Sequence, residues 1–262
     1  MTDYTWQKIK ETGRLGRRQV VFFETVDSTN VQAGSLAKQG APRGTVVLAE
    51  TQTHGRGRLE RLWQSPPGTG LYFSLIWHSQ LTPEHLSKTT LAAGLGLCKA
   101  VAESTGLAPL IKWPNDLLLD SKKVGGILTE SCGKVDDKTL VVIGVGLNVN
   151  TEQSAFSADL ADKASSLFIS AQKTFKRGDL LLSTLESIEF ELKRMERGGL
   201  QDVLADFRRR DATIGRTMTW VTPSRKTVTG VSLGINASGM LQVRDLNGAI
   251  HEVLSGDLSI AH

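Results

Sequence analysis

The first 150 residues alternate between short apolar runs and stretches with helical spacing. Val, Phe, Leu and Ile are concentrated at 19–23, 45–50 and 71–77, and runs of this length and composition predict strands. Two longer apolar runs, at 124–129 and 140–149, suit central strands. The five runs together predict a fold built around a central β-sheet.

Apolar residues at helical spacing predict the helices. Positions 31–39 predict a short helix, and a longer one is predicted over about 82–104 with Pro83 at its first position. Helical spacing returns between 179 and 209, where Gly198-Gly199 is predicted to divide two helices. The predicted fold class is therefore α/β (α+β), a central mixed sheet with helices on one face.

The last 50 residues differ in character, because short strands and turns replace the helices. Four strands are predicted there, at 217–221, 226–234, 240–245 and 249–254. Asn247-Gly248 predicts a hairpin with a type I′ turn, which needs positive φ at both residues. These strands predict a small β-barrel domain at 213–262, after a catalytic domain at 19–212. Segment 1–18 is charged, has no clear period and is predicted to be an N-terminal extension.

Composition excludes several classes of protein. Hydrophobic residues make up 40% of the chain and charged residues 22%, a mixture that excludes wholesale disorder. The net charge of +4 is compatible with a nucleic acid or polyphosphate ligand but requires neither. Cys98 and Cys132 lie outside any CxxC pattern, which argues against a disulfide framework or a structural zinc site.

The sequence shows no membrane-targeting or secretory signal. No segment of the sequence reaches the 18 consecutive apolar residues typical of a membrane span, and the first thirty residues are polar. We therefore predict neither a membrane helix nor a secretory signal, no membrane partner, and a cytoplasmic protein.

The segment His54-Gly55-Arg56-Gly57-Arg58-Leu59-Glu60-Arg61-Leu62-Trp63 joins two predicted strands and is long for a plain connection. Its glycines allow close backbone approach, and its arginines can fork onto phosphate or carboxylate oxygens. We expect a mobile lid that an anion orders. The alternative interpretation is a solvated basic loop that contacts RNA. The chain contains no GxxxxGK[ST], and Gly144-Val145-Gly146 lacks the third glycine of GxGxxG, so P-loop and Rossmann folds are disfavoured.

Five motifs then follow one another in a specific order. They are DSTN (27–30), GRGRLERLW (55–63), KWPND (112–116), KVGG (123–126) and GVGLN (144–148). In these motifs the chain resembles the biotin–protein ligase family, whose pattern includes GRGRxGRxW, KWPND, KxxG and GxGxN in this order. Glu60 stands where that family has glycine, which changes the charge and flexibility of the loop. The tail resembles the family's SH3-like barrel.

The resemblance implies an enzyme that forms a carbon–nitrogen bond in two steps. The biotin carboxylate attacks the α-phosphorus of ATP to give biotinyl-5′-AMP and pyrophosphate. A lysine of a biotin carboxyl carrier protein then accepts the biotinyl group and AMP leaves. ATP and biotin would be substrates, with Mg²⁺ as the accompanying metal. Segment 1–18 is too short for the DNA-binding domain of some relatives, so no DNA partner is expected. The oligomeric state stays open, a homodimer included.

The resemblance also implies the roles of individual residues. The catalytic role falls on Lys123 and Arg58, since cations beside the α-phosphate stabilise the charge that develops there. Biotin contacts are expected from Ser28, Thr29, Asn30, Gln52, Gly125, Gly126 and Gly146. ATP or adenylate contacts are expected from Arg56, Gly57, Arg58, Arg61, Trp63, Asn115, Asp116 and Lys123. Asp116 is also the candidate Mg²⁺ ligand.

The residues by themselves leave other interpretations open. Ser28-Thr29-Asn30 alone is typical of a helix cap, and the strand glycines are typical of bulges. Asp116 is as well suited to stabilising a turn, and Arg61 to a structural ion pair. Trp63 either walls the adenine or anchors the loop.

Three other functions also remain open. A lipoate–protein ligase would share the architecture, but its ligand lacks a ureido ring. A non-catalytic biotin sensor would bind biotin and release no pyrophosphate. A nucleic-acid-binding module would show steep salt-dependent affinity and no ATP turnover.

Overall fold

A computed structural model of the chain describes residues 3–82, 85–221, 227–253 and 258–260. Eight strands form the larger sheet: β1 (Arg14–Leu15), β2 (Arg18–Val26), β3 (Val46–Gln52), β4 (Gly70–Ser79), β5 (Leu110–Lys112), β6 (Asp116–Leu119), β7 (Lys122–Val135) and β8 (Lys138–Asn148). Their order across the sheet is β1-β2-β3-β4-β8-β7-β6-β5. Strands β2 and β3 are parallel and the other neighbours are antiparallel, which confirms the predicted mixed sheet.

Six helices accompany this sheet in the described part of the chain. They are α1 (Tyr4–Thr12), α2 (Thr29–Lys38), α3 (Leu86–Thr105), α4 (Leu167–Ala171), α5 (Arg177–Gly198) and α6 (Gln201–Arg208). Buried residues of α1, α3, α5 and α6 form one large core with one face of the sheet. Within the described residues, no helix is both long enough and apolar enough to cross a membrane.

The expectation that all helices lie on one face is wrong. Helix α2 packs on the opposite face, where Ala33 and Ala37 contact Val47, Ile76 and Val142 in a smaller core. The parallel pair β2–β3 needs a crossover connection, and α2 supplies it. Because α2 starts immediately after β2, its first turn lies beside the end of β3, where the candidate site begins.

Segment 1–18, for which the sequence showed no clear period, contains helix α1 and strand β1. Helix α1 occupies half of this segment and is capped by Asp3, whose Oδ1 accepts from Trp6 N at 3.1 Å. Trp6 and Ile9 are buried, and Trp6 Nε1 donates to Glu50 Oε1 at 2.7 Å. Two apolar residues on one short helix are too few to produce a visible period, so tertiary contacts stabilise this helix more than its own sequence does.

Several predicted boundaries shift. The long helix begins at Leu86, after the predicted start near Thr82, and Gly199 (φ 76) ends α5 as expected. Strands β5 and β6 were not predicted, because three and four residues give no recognisable alternation. Pro83, Lys226 and Leu254, which the predicted elements include, lie outside the described residues.

The tail forms a five-stranded antiparallel sheet with the order β12-β11-β10-β9-β13. Its strands are β9 (Thr217–Val221), β10 (Thr227–Ile235), β11 (Leu241–Asp245), β12 (Ile250–Val253) and β13 (Leu258–Ile260). The predicted type I′ turn is wrong: Gly248 has φ 85, but Asn247 is not in the positive-φ region. Instead, Asp245 Oδ1 accepts from the backbone N–H groups of Asn247 and Ala249 at 2.9 and 3.0 Å. The division into domains near residue 213 stays a prediction.

Candidate active site

A cavity of about 320 Å³ opens where α2, β3, β7 and β8 meet the 53–69 connection. Its lining includes fourteen of the fifteen residues predicted to contact ligand: Ser28, Thr29, Asn30, Gln52, Arg56, Gly57, Arg58, Arg61, Trp63, Asn115, Asp116, Lys123, Gly126 and Gly146. The fold therefore collects residues as far apart in the chain as Ser28 and Gly146 into one concave surface. Their individual roles stay predictions.

Gly125 is the predicted residue that does not line the cavity. A Cβ built on it would lie 3.1 Å from Leu147 Cδ1 and 3.5 Å from Leu117 Cβ, and both of these side chains belong to the large core. Neighbouring residues of a strand face opposite sides of the sheet, so Gly126 faces the cavity and Gly125 faces away from it.

The arginine loop (residues 54–65) is folded as a narrow hairpin. Trp63 N donates to Gly55 O at 2.9 Å, Gly57 N donates to Arg61 O at 2.7 Å, and Arg56 and Leu62 form a β-bridge between them. A Cβ on Gly55 would lie 2.5 Å from Trp63 O. Gly55 is therefore required because its backbone lies very close to the other arm of the loop, at Trp63. The expected mobility of the loop stays a prediction.

The cationic half of the cavity (Arg58, Asn115, Asp116 and Lys123, with Trp63) joins the loop to the turn between β5 and β6. Arg58 Nη1 donates to Asn115 Oδ1 at 3.1 Å, and Lys123 Nζ lies 2.6 Å from Asp116 Oδ1. Lys123 Nζ also lies 5.5 Å from the centre of the Trp63 ring. Arg58 and Lys123, cations from two motifs, thus line the same cavity, and their roles toward a ligand stay predictions.

The backbone of Lys123 is held by a segment that the sequence analysis did not single out. Lys123 N donates to Lys163 O at 2.8 Å, and Ser165 N donates to Lys123 O at 2.8 Å. Lys163 also lines the cavity, together with Phe156 and Leu160. Residues 149–166 contain no family motif and no period, so their place in the site came only from the fold.

The neutral half of the cavity (Ser28, Thr29, Asn30 and Gln52) lies at the start of α2. Thr29 N and Thr29 Oγ1 both lie within hydrogen-bond distance of Gln52 Oε1, at 2.9 and 3.1 Å. Ser28 is the N-cap residue of α2, but its side chain makes no capping hydrogen bond. The helix-cap interpretation therefore does not account for the hydroxyl of Ser28, a buried residue that lines the cavity.

Asp27, the first residue of the DSTN motif, supports this arrangement from outside. Its carboxylate accepts hydrogen bonds from the Gln32 side chain at 3.1 Å and from Ser28 N at 2.7 Å. The Gln32 hydrogen bond, and to a smaller extent the Ser28 hydrogen bond, hold the pKa of Asp27 below its ordinary value of 3.8. The Asp27 carboxylate therefore orients the backbone that presents Ser28 and Thr29.

Asn30 is the member of the neutral half whose side chain is fully engaged by the protein. Asn30 Nδ2 donates to Glu130 Oε2 at 2.8 Å and to Leu128 O at 3.3 Å, and Asn30 Oδ1 accepts from Ser74 Oγ at 2.6 Å. A Cβ on Gly144 would lie 2.0 Å from Asn30 Oδ1, so this strand glycine makes room for Asn30.

Trp63 fills the space over Gly146 of β8, as Asn30 fills the space over Gly144. A Cβ on Gly146 would lie 2.4 Å from Trp63 Cε2, and a Cβ on Gly126 would lie 3.5 Å from Trp63 Cζ3. The indole therefore lies directly on the two strand glycines. Its Nε1 is buried and has no hydrogen-bond partner within the described structure. Trp63 anchors the loop to the sheet and still offers one donor.

The donor set does not form a dedicated metal site. Among the described residues, no group of three or more His, Cys, Asp or Glu side chains could hold a metal ion. Asp116, the predicted Mg²⁺ ligand, is paired with Lys123. The cysteines are free, and burial raises the pKa of Cys98 to about 12, as expected of a core thiol.

Comparison with known proteins places this site in a family. A model described as the biotin/lipoate A/B protein ligase family matches residues 22–148. The chain is 31% identical to the bifunctional ligase/repressor BirA of Bacillus subtilis, over 97% of this chain and 82% of that protein. It is 31% identical to the biotin–[acetyl-CoA-carboxylase] ligase of Mycobacterium tuberculosis, over 93% of this chain and 89% of that protein.

The fold agrees with these relationships. The structure of a biotin protein ligase from Aquifex aeolicus in complex with biotin and ATP matches with a TM-score of 0.78 and 30% identity, covering 92% of this chain and 98% of that one. This match confirms the predicted fold class, a mixed sheet with flanking helices and a small C-terminal sheet. With 31% identity over 82% of a curated relative and the same architecture, the chain belongs to the biotin–protein ligase family, within the biotin/lipoate A/B protein ligases, and is a ligase.

Proposed function

We propose that the chain activates biotin with ATP to form biotinyl-5′-AMP and transfers the biotinyl group to a lysine of a biotin carboxyl carrier protein. The observation that carries this proposal is the division of one cavity of about 320 Å³ into a buried neutral half and a cationic half. A ligand with an uncharged polar ring at one end and a reacting carboxylate at the other matches that division.

The neutral half suits a ureido ring. Such a ring offers two N–H donors and one carbonyl acceptor, and the hydroxyl and amide groups of Ser28, Thr29 and Gln52 can satisfy both kinds. These residues are buried or partly buried and line the cavity wall. A ligand without such a ring would leave their polar groups unpaired, which is the strongest way for a pocket to reject an analogue.

The cationic half suits the first chemical step. A biotin carboxylate oxygen attacks the α-phosphorus, the bond from that phosphorus to the bridging oxygen breaks, and pyrophosphate leaves. Negative charge grows on the α-phosphate oxygens as this happens. Lys123 and Arg58 are the cations that we assign to its stabilisation, because both line the same wall. Asp116 keeps the Lys123 ammonium in place at 2.6 Å.

The second step requires that water be kept from the mixed anhydride. The acceptor amine attacks the acyl carbon, the bond from that carbon to the phosphate oxygen breaks, and AMP leaves while the amine loses a proton. We assign Arg56, Gly57 and Arg61 of the arginine loop to covering the adenylate, and Trp63 and Asn115 to its nucleotide side. Excluding water at this stage prevents hydrolysis of the intermediate.

Mg²⁺ stays a prediction from the family resemblance. The side chains present do not fit a metal held by this chain, because Asp116 is paired with Lys123. Among the described residues, Asp116 also belongs to no group of three or more His, Cys, Asp or Glu side chains that could hold a metal ion. Mg²⁺ typically keeps several waters and binds through phosphates, so its entry with ATP would need few protein ligands. A cytoplasmic location and the absence of DNA and membrane partners also stay predictions.

The proposal is tested by incubating the chain with ATP, biotin and an isolated carrier domain, and measuring the mass of the carrier. We expect a gain of one biotinyl group together with release of pyrophosphate. Biotin binding without pyrophosphate release would instead indicate a sensor. Titration calorimetry with biotin and lipoate separates the two ligases, and tighter binding of lipoate would overturn the assignment.

A further inference from the structure

A continuous series of polar contacts, hydrogen-bond contacts that end in one ion pair, runs beneath the neutral half of the cavity and joins the two ends of the arginine loop. It passes through Ser65, Gln52, Thr29, Ser74, Asn30, Glu130 and Arg56, in that order. Ser65 follows the loop hairpin and Arg56 lies near its start. The loop is therefore attached at both ends to the same set of polar groups.

The attachment at Ser65 is buried and neutral. Gln52 Nε2 donates to Ser65 Oγ at 3.1 Å, and Thr51 Oγ1 donates to Ser65 O at 2.6 Å. Ser65 is itself buried. Breaking these bonds would leave polar groups unpaired away from water, so this end of the loop has a permanent attachment to β3.

The attachment at Arg56 is different, because it depends on one partly exposed carboxylate. Glu130 Oε1 lies 3.0 Å from Arg56 Nη2, while Glu130 Oε2 accepts from Asn30 Nδ2 at 2.8 Å. The Arg56 and Glu130 side chains are 48% and 32% exposed. A pair this exposed to water exchanges partners readily.

We propose that Glu130 is a positioning residue that tethers the arginine loop to the neutral half of the cavity through Arg56. One oxygen of its carboxylate holds the loop and the other holds Asn30, whose amide forms part of the cavity wall. A ligand seated against Asn30 therefore acts on the same carboxylate that restrains Arg56. The link to biotin rests on the proposed function, but the tether itself does not.

Two variants separate the tether from the fold. Glu130→Gln keeps an acceptor for Asn30 but removes the charge that holds Arg56. Glu196→Gln is the matched control: Glu196 Oε2 lies 2.8 Å from Arg43 Nη2 and its Oε1 accepts from Trp77 Nε1 at 2.8 Å, the same combination of one arginine and one neutral donor outside the cavity lining.

The measurement is limited trypsin digestion of the full chain, with the cut sites identified by mass spectrometry. Arg56, Arg58 and Arg61 place three trypsin sites in the loop. We expect Glu130→Gln to accelerate cleavage at these sites about 2- to 5-fold, the range given by loss of a half-exposed ion pair, while the thermal midpoint stays that of the wild type. Cleavage at the other sites in the same digest serves as the internal reference.

Three results decide the inference. Equal loop cleavage in Glu130→Gln and Glu196→Gln would overturn the tether. Saturating biotin is expected to change loop cleavage in the wild type, and to change it less in Glu130→Gln; an equal response in both proteins would overturn the coupling. No response to biotin in the wild type, with faster cleavage in Glu130→Gln, would also overturn the coupling and leave the tether supported. The proposed function is decided separately, by the mass of the carrier.

Discussion

In the neutral half of the cavity Ser28, Thr29 and Asn30 are 2%, 4% and 7% exposed, whereas in the cationic half the Lys123 side chain is 36% exposed. The neutral groups are bonded to one another and to the sheet. The cation is paired with a single carboxylate, Asp116. The two halves therefore hold their polar groups with different strength.

This difference has a physical reason. Neutral hydroxyl and amide groups can be buried when their hydrogen bonds are satisfied, and burial then fixes their geometry. A buried lysine or arginine would lose much more hydration energy, so cations that must accept a phosphate stay near water and keep replaceable partners. Under the proposed function, the neutral half would select the ligand and the cationic half would respond to its charge.

The largest effect is expected in the cationic half. Lys123→Ala should lower the rate of adenylate formation at least about 100-fold, the scale of losing one preorganised charge-stabilising donor. Pyrophosphate release under single-turnover conditions measures it. Lys122→Ala is the matched control, since Lys122 does not line the cavity. Near-normal pyrophosphate release from Lys123→Ala would contradict a catalytic role for the cationic half.

Arg58 should affect retention of the intermediate. Arg58→Ala is expected to release biotinyl-5′-AMP about 10- to 100-fold faster, because a hydrogen bond to a charged group contributes about 1.5–3 kcal/mol. A rapid-dilution assay with labelled biotin follows the loss. Arg197→Ala, on an exposed site of α5, should retain the adenylate normally. Unchanged retention in Arg58→Ala would contradict a role in closure.

The neutral half should show a smaller effect, confined to binding. Thr29→Val removes one hydroxyl that contacts Gln52 and Ser74, and should raise the Kd for biotin up to about 10-fold, the scale of one neutral hydrogen bond. Calorimetry measures it. Thr45→Val is the control, because the buried Thr45 hydroxyl has no hydrogen-bond partner among the residues that the structure describes. A fall in kcat at unchanged Kd would assign Thr29 to the chemical step instead.

The smallest effect is expected at the tip of the loop that connects the halves. Glu60 has φ 59, in the left-handed region that costs a non-glycine residue about 1–2 kcal/mol. Glu60→Gly relieves this but adds flexibility to the unfolded chain, so a net gain in the free energy of unfolding of up to about 1 kcal/mol is expected. Urea unfolding measures it. Glu152→Gly, at φ −79, should give no gain.

The sequence predicted the contacts of the cationic half better than those of the neutral half. Arg58, Asn115, Asp116 and Lys123 lie in contiguous motifs, and their meeting around one wall was expected from the family pattern. Ser74 and Glu130 were not predicted. Each makes its key contact with Asn30, across 44 and 100 positions of the chain. A serine or glutamate inside a strand carries no local signal of such a partner.

The amino-acid order alone was sufficient for the α/β class, the main strands and helices, the family and fourteen residues of the cavity lining, because apolar periodicity and short motifs are local properties of the chain. The folded molecule decided the rest: that α2 covers the second face, that Gly125 turns away from the cavity, that Asn30 and Trp63 fill the space over Gly144 and Gly146, and that Glu130 meets Arg56. These outcomes depend on which surfaces come into contact, and that is settled only when distant segments pack together and their polar groups must find partners.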